Sequence, residues 1–227
     1  MRWLPIPGLS TTLDGVGPNS VRALRISRST KRLHLLPTFP DLISMDVENA
    51  SMELLAEVSK LEQLRHLTLE PFRLPTIQAV SNLRQLRTLI LSSGGWGRTI
   101  RIVSFAPLRT LTCLESIQSN LVPEDGDLLP ISASPVIQDV SIAPGLYPLE
   151  RLAMLAASLR PECRTGTLSG VVTLYSMAEC PKCGAQGTRV ILSGHGCGSA
   201  CTACQKGKLD RHKKRWDELI GEYSSRR

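Results

Sequence analysis

The 227-residue sequence predicts an α/β solenoid, followed by a small β module and a C-terminal helix. Three observations predict this architecture. An L-x-x-L-x-L segment recurs about every 22 residues through the body. Four cysteines near the C-terminus are spaced C-x2-C-x17-C-x2-C. Charge divides the same way: residues 1–179 carry 17 Lys plus Arg and 16 Asp plus Glu, whereas residues 180–227 carry 10 and 4. A nearly neutral body thus precedes a basic tail, and each is read on its own terms.

The repeat is clearest in Leu64-Arg65-His66-Leu67-Thr68-Leu69 and Leu86-Arg87-Thr88-Leu89-Ile90-Leu91, which lie 22 residues apart. Leu42, Met45 and Val47 fit the same pattern upstream, and Val21, Leu24 and Ile26 fit it 21 residues earlier. Leu114 and Ile117 continue it after 28 residues, with Ser119 in place of the last apolar residue, and Ile137, Val140 and Ile142 close the series. The six extra residues are assigned to the glycine-marked loop Ser92-Ser93-Gly94-Gly95-Trp96-Gly97-Arg98.

Within each unit the L-x-L stretch alternates as a strand with one buried face. The return segments carry apolar residues every three or four positions, as in Leu74, Ile77, Val80 and Leu83, or Ile102, Phe105, Leu108, Leu111 and Leu114. Met52–Val58 and Leu149–Leu159 are predicted helical returns. A single turn cannot bury its own apolar side, whereas stacked turns bury a continuous core. Nine aromatic residues in all mean that this core is built chiefly from leucine. The competing reading is a bundle of Leu-rich helices, but helical periodicity alone does not recur at 22 with an L-x-L centre.

Residues 19–160 resemble a leucine-rich repeat protein of the short, internalin-like 22-residue class, with about six irregular repeats. That family usually carries asparagine three positions after the last strand leucine. Here those positions hold Ser29, Ala50, Phe72, Gly94, Val122 and Gly145. With no asparagine ladder, irregular turns are expected. Such scaffolds commonly bind through the concave strand face. The register places Arg25, Asp46, Thr68, Ile90, Gln118 and Ser141 in one outward row, and Ser27, Glu48, Glu70, Ser92 and Asn120 in a second. His66 precedes the centre of one strand. The candidate partner-binding residues are therefore Arg25, Asp46, Glu48, His66, Thr68, Glu70, Ile90 and Gln118. Acidic at its middle and basic at one end through Arg22, Arg25 and Arg28, this surface suits a protein partner better than nucleic acid.

The tail starts after a linker at 161–170. A β-branched run, Val171-Val172-Thr173-Leu174-Tyr175, leads to Cys180-Pro181-Lys182-Cys183-Gly184, and Cys201-Thr202-Ala203-Cys204 follows. A two-residue gap lets both thiolates of one tight turn face a single ion, and glycine supplies the backbone needed just after the second thiolate. Two such turns give Zn²⁺ its four sulfurs. Cys180, Cys183, Cys201 and Cys204 are the candidate ligands of one structural zinc ion. Iron in the same thiolate set is the minor alternative. Four protein ligands leave no position for water, which disfavours a catalytic metal. Residues 171–206 resemble a zinc ribbon, with Thr188–Leu192 as a strand and Ser193-Gly194-His195-Gly196 turning the chain back. Cys197 is read as a spare thiol, His195 as a loop residue and Cys113 as a small core residue.

Residues 205–227 predict a basic amphipathic helix, apolar along Leu209, His212, Trp216, Leu219, Ile220 and Tyr223. Arg211, Lys213, Lys214 and Arg215 are candidate phosphate contacts, so a nucleic-acid-binding regulator is the alternative function. No aromatic platform for stacking bases accompanies them. Residues 1–18 form a lead-in without a secretory apolar core, and no apolar run reaches the roughly 18–20 residues of a membrane span. A cytoplasmic protein whose cysteines are thiols or metal ligands is expected. No G-x-x-x-x-G-K-[ST], H-E-x-x-H or G-x-S-x-G motif occurs, and the carboxylates Glu124, Asp125 and Asp127 are loop neighbours. The expectation is a non-enzymatic binding scaffold whose zinc module caps the C-terminal end.

Overall fold

The computed structural model describes residues 21–94, 99–173 and 179–226. The lead-in at 1–18, positions 95–98 of the insertion loop, Leu174 and Tyr175 of the β-branched run, and Arg227 lie outside the described residues. The chain divides at Ile137/Gln138 into two units. In the first, the elements in chain order are β1 (Ala23–Ser27), β2 (Ser44–Glu48), α1 (Met52–Val58), β3 (His66–Leu69), β4 (Thr88–Leu91), β5 (Ile100–Ile102), β6 (Ser116–Ser119) and β7 (Leu121–Pro123).

β1, β2, β3, β4 and β6 pair side by side and parallel in chain order. The leucine positions of the repeat are direct ladder partners: Leu24↔Met45, Met45↔Leu67, Leu67↔Leu89 and Leu89↔Ile117. Parallel neighbours need a crossover, which the return segments supply. One return is α1, started by Ser51, whose hydroxyl accepts the Leu54 N–H at 3.1 Å. Others are 3₁₀ turns, at Leu33–Thr38, Gln78–Asn82, Ala106–Thr110 and Leu129–Ser132.

The three-residue apolar rhythm has a backbone cause. The N–H groups of Leu42, Leu64, Leu86 and Leu114 each donate to the carbonyl three residues upstream, on Phe39, Leu61, Leu83 and Leu111. Those four residues donate in turn to Leu36, Val58, Val80 and Leu108. Each return therefore enters its strand through consecutive tight turns that aim every third side chain inward, and all twelve residues are buried. Each strand then opens on a shared carbonyl. Arg22, Ile43, Arg65 and Arg87 each accept two successive N–H groups from the next turn. The pattern survives the 28-residue turn, so the extra residues lie outside the strand and its entry.

The insertion does more than lengthen a loop. β5 and β7 form a second parallel ladder, Ile100↔Leu121 to Ile102↔Pro123. Nine positions separate Leu91 from Ile100, but only two separate Ser119 from Leu121. The added residues therefore sit between β4 and β5, which is where the glycines pointed. Gly94 has φ +75°, and a Cβ there would lie 2.4 Å from Pro71 Cβ, so the position admits glycine for both backbone and packing reasons.

Other asparagine-ladder positions are filled differently. Phe72 is fully buried and its N–H donates to Ser92 O at 2.7 Å. Beside the insertion, Asn120 accepts the Ser93 N–H at 2.8 Å and donates to Ser93 Oγ at 2.9 Å. Ser119 is buried at the position where the other turns carry an apolar residue; its hydroxyl accepts the Leu121 N–H at 3.2 Å, which offsets the cost of burying it. One expectation needs correction: Cys113 is exposed. It occupies a solvent-facing position between Leu111 and Leu114, both buried.

The second unit holds β8 (Asp139–Ile142), α2 (Leu149–Ser158), β9 (Val171–Thr173), β10 (Arg189–Leu192), β11 (Ser199–Cys201) and α3 (Lys206–Ser224). β8 and α2 have the strand-then-return pattern of a repeat, with Val140, Ile142, Leu152, Ala153 and Leu155 buried. Residues 161–170 run along β8: Val140 N–H donates to Arg164 O at 2.9 Å, and Ile142 N–H donates to Thr167 Oγ1 at 3.0 Å. The sequence boundary at 160/161 falls inside this unit. β9, β10 and β11 form an antiparallel sheet in the order β11-β10-β9. Its core is small, Val190, Leu192, Ala200 and Leu209, with Val171 and Cys197 against it.

α3 buries Leu209, Trp216 and Leu219 from its apolar stripe. Gly170 lets Trp216 in, since a Cβ there would meet the indole Cγ at 2.7 Å. α2 and α3 pack together, and the turn after β10 is tied to the last repeat by Gly194 N–H to Pro144 O at 2.8 Å and His195 N–H to Tyr147 O at 2.7 Å. No helix among the described residues is long and apolar enough to cross a membrane.

Candidate functional site

Two places carry site chemistry, one in each unit. In the second unit, two knuckles bring four thiols together. In the first knuckle, Gly184 N–H returns to Cys180 O at 2.8 Å, and Cys180 N–H donates to Ala185 O at 2.9 Å. Gly184 sits at φ +69°, the conformation its position after Cys183 called for. In the second, Gln205 closes the loop from both ends. Its N–H donates to Cys201 O at 3.0 Å, and its Oε1 accepts the Cys201 N–H at 3.0 Å. The β10–β11 pairing, with Arg189 opposite Cys201, sets one knuckle against the other.

The Sγ atoms of Cys180, Cys183, Cys201 and Cys204 all lie within 4.8 Å of one another. Cys180 and Cys204 are 3.7 Å apart, and Cys183 and Cys201 3.8 Å. These are too long for disulfides. A tetrahedron with sulfurs 2.3 Å from its centre has edges of about 3.8 Å. The donor set therefore fits one thiophilic ion of zinc size. Cys180 and Cys201 are buried; Cys183 and Cys204 are exposed. Cys197 and His195 lie outside the group: Cys197 packs against the small core and His195 is exposed.

The protons are unevenly shared. The Thr188 hydroxyl, and next the Cys204 N–H, hold Cys201 down to about 6 against the effect of its burial. The N–H groups of Lys182 and Cys183 hold Cys180 below the usual thiol value. Cys204 is pushed up to about 12, first by its hydrogen bond with Cys183 and then by burial. Four sulfurs this close cannot all ionise without a cation among them, and two knuckles full of N–H donors favour the charged form.

In the first unit, the ladder aligns Arg25, Asp46, Thr68, Ile90 and Gln118 as successive partners, and Ser27 with Glu48. Arg25 and Gln118 are exposed, and Asp46, Thr68, Ile90 and His66 half-buried. A shallow depression of about 320 Å³ is lined by Arg25, Asp46, Val47, Glu48, Thr68, Glu70 and Pro71. Arg25 pairs with Asp46 at 3.3 Å, and Ser92 Oγ donates to Glu70 at 2.9 Å. The loop carboxylates have structural work: Asp125 accepts the Asp127 N–H at 3.0 Å, and Asp127 pairs with Arg109 at 3.3 Å.

The basic residues of α3 have mixed surroundings. Arg211, Lys213, Lys214 and Arg215 are exposed. Arg215 lies 3.8 Å from both Glu150 and Glu218. Lys208 is spent on two carbonyls, those of Cys197 and Ser199, each at 3.2 Å.

Sequence reasoning missed Thr188 and Gln205 as parts of the cysteine site. Thr188 contacts Cys201 across 13 residues through strand register, so no ligand-spacing rule reveals it. Gln205 directly follows Cys204, and a side-chain acceptor at that place is its only signal.

No family model matches the chain, and no curated protein matches it. Solved structures do. An internalin of Listeria monocytogenes is 18% identical with a TM-score of 0.38, over 58% of this chain and 44% of that one. Internalin C2 of the same organism is 20% identical with a TM-score of 0.34, over 54% and 61%. A leucine-rich repeat protein of Leptospira interrogans is 14% identical with a TM-score of 0.36, over 64% and 49%. This chain spans about half the length of the solved structures it matches. The leucine-rich-repeat-like character of the fold rests on its own ladder, one parallel strand per turn with leucine opposite leucine.

Proposed function

We propose that the chain is a non-enzymatic, cytoplasmic protein-binding scaffold that holds a partner on the exposed strand face and folds its C-terminal module around one structural zinc ion. The observation that carries the binding reading is the aligned row from Arg25 to Gln118. Five successive turns present one side chain each at fixed spacing, on a rigid element whose opposite side is core. Such a row recognises an extended protein surface, and the acidic middle of the face, Asp46 in this row with Glu48 and Glu70 beside it, favours a partner presenting Lys or Arg.

The spacing of the four sulfurs supports zinc as the ion, in the role of holding the module together. Among the described residues its core is Val190, Leu192, Ala200 and Leu209, too little to stabilise a module this small by burial alone. The module packs on the last repeat turn, β8 and α2, within its own unit. Covering the apolar end of a solenoid is work such arrays require, so the module serves as a cap. Phosphate binding by α3 is the weaker reading: Asp210, Asp217 and Glu218 interrupt its basic residues, and Arg215 has carboxylate neighbours.

The test is affinity purification from the native cell with the intact chain and with a Glu48→Lys/Glu70→Lys variant side by side. A partner bound to this face is retained by the first and weakened about 10- to 100-fold by the second. Equal recovery on both chains excludes this face as the binding surface.

A further inference from the structure

The geometry points to Thr188 as a positioning residue of the metal centre, its hydroxyl donating to the Cys201 thiolate and fixing that sulfur toward the ion. This rests on the four-cysteine metal reading and goes beyond it, since Thr188 belongs to neither knuckle.

Thr188 Oγ1 lies 3.2 Å from Cys201 Sγ and also 3.2 Å from Ala185 O. A hydroxyl has one proton for these two acceptors. A ligating cysteine is a thiolate and has no proton to give, so in the metal-bound site the O–H must point at sulfur. When Cys201 is a thiol, the chain of bonds can run the other way, from S–H to Oγ1 and from O–H to the Ala185 carbonyl. The same side chain thus serves the empty and the filled site without leaving a polar atom unsatisfied.

The backbone holds it there. Thr202 N–H donates to Thr188 O at 2.8 Å, directly before the Arg189↔Cys201 pair of the β10–β11 ladder. Thr188 therefore moves with the strand that carries the ligand, and its Oγ1 stands between the two knuckles, 3.2 Å from Ala185 O on one side and from Cys201 Sγ on the other. Cys201 is buried, so water does not readily replace the bond. Partners of this kind orient ligands and tune metal affinity, and their loss typically costs about 10- to 100-fold.

The experiment uses the full chain with Thr188→Val, Thr188→Ala and Thr188→Ser. Zn²⁺ affinity is read by competition with a chromophoric chelator. The Co²⁺-substituted protein is read by its sulfur-to-metal charge-transfer band. We expect zinc to bind about tenfold more weakly or worse in the Val and Ala variants, with the band moved to longer wavelength as the sulfur loses its donor. The Ser variant should match the parent in both. If Val does not fold, Ala and Ser decide the question. Parent-like affinity and band in the variants lacking the hydroxyl overturn the proposal, and so do equal losses in all three, which would report packing alone. A parent chain that takes up neither Zn²⁺ nor Co²⁺ overturns the four-thiolate reading itself and this inference with it.

Discussion

Stripping the metal with a chelator at neutral pH is expected to unfold the segment around β9–β11 and uncover the last repeat turn, β8 and α2, while the turns from β2 to β4 stay folded. Among the described residues the sheet's core is Val190, Leu192, Ala200 and Leu209, whereas the first unit buries leucines turn after turn. Structural zinc supplies about 10–16 kcal/mol of apparent binding free energy to small thiolate sites at pH 7, more than such a module can replace. Limited trypsin digestion read by mass spectrometry checks the outcome. New cleavages should appear at Lys182, Arg189 and Lys206, while Arg65 and Arg87, whose carbonyls lie in the ladder, stay protected. Cys201→Ser should reproduce the pattern without a chelator. A module that resists trypsin equally with and without metal contradicts a structural role for the ion.

Leu89→Ala should cost about 2–5 kcal/mol, more than the same change in the edge strand β1. Leu89 is fully buried, and it is the ladder partner of both Leu67 and Ile117. A cavity there opens against two neighbouring turns instead of one. Denaturant unfolding with Leu24→Ala as the comparison tests the point, since Leu24 has a ladder partner only in β2 among the strands of its sheet. If the two variants cost the same, the stacking account of the core is wrong.

The sequence made some features of this molecule legible and hid others for physical reasons. Repeats are visible because a stacked core demands an apolar residue at the same phase in every turn. That constraint put Leu67, Leu89 and Ile117 in register across a 28-residue turn as readily as across a 22-residue one. The cysteine quartet is visible because a tight turn fixes the two-residue gap. Gly184 follows from the same turn.

Features that depend on contact between distant segments did not show. The β5–β7 ladder arises from an insertion whose far end pairs one turn later. Cys113 was misread because a small thiol suits a core, yet its phase between Leu111 and Leu114 faces water. Thr188 reads as an ordinary strand residue until β10 and β11 are paired. The asparagine ladder's absence was legible, but its replacements were not: a buried Phe72, a glycine against Pro71, and an Asn120–Ser93 pair each solve one turn separately.

The central claim is that a partner sits on the strand face from Arg25 to Gln118. Hydroxyl-radical footprinting of the chain alone and in complex with its copurified partner tests it most directly. The account predicts loss of labelling at His66 and Ile90 on that face. Met52 and Val103, 48% and 56% exposed and away from the strand row, should label unchanged. Protection confined to the Lys213–Tyr223 part of α3, with His66 and Ile90 labelled as in the free chain, would contradict it.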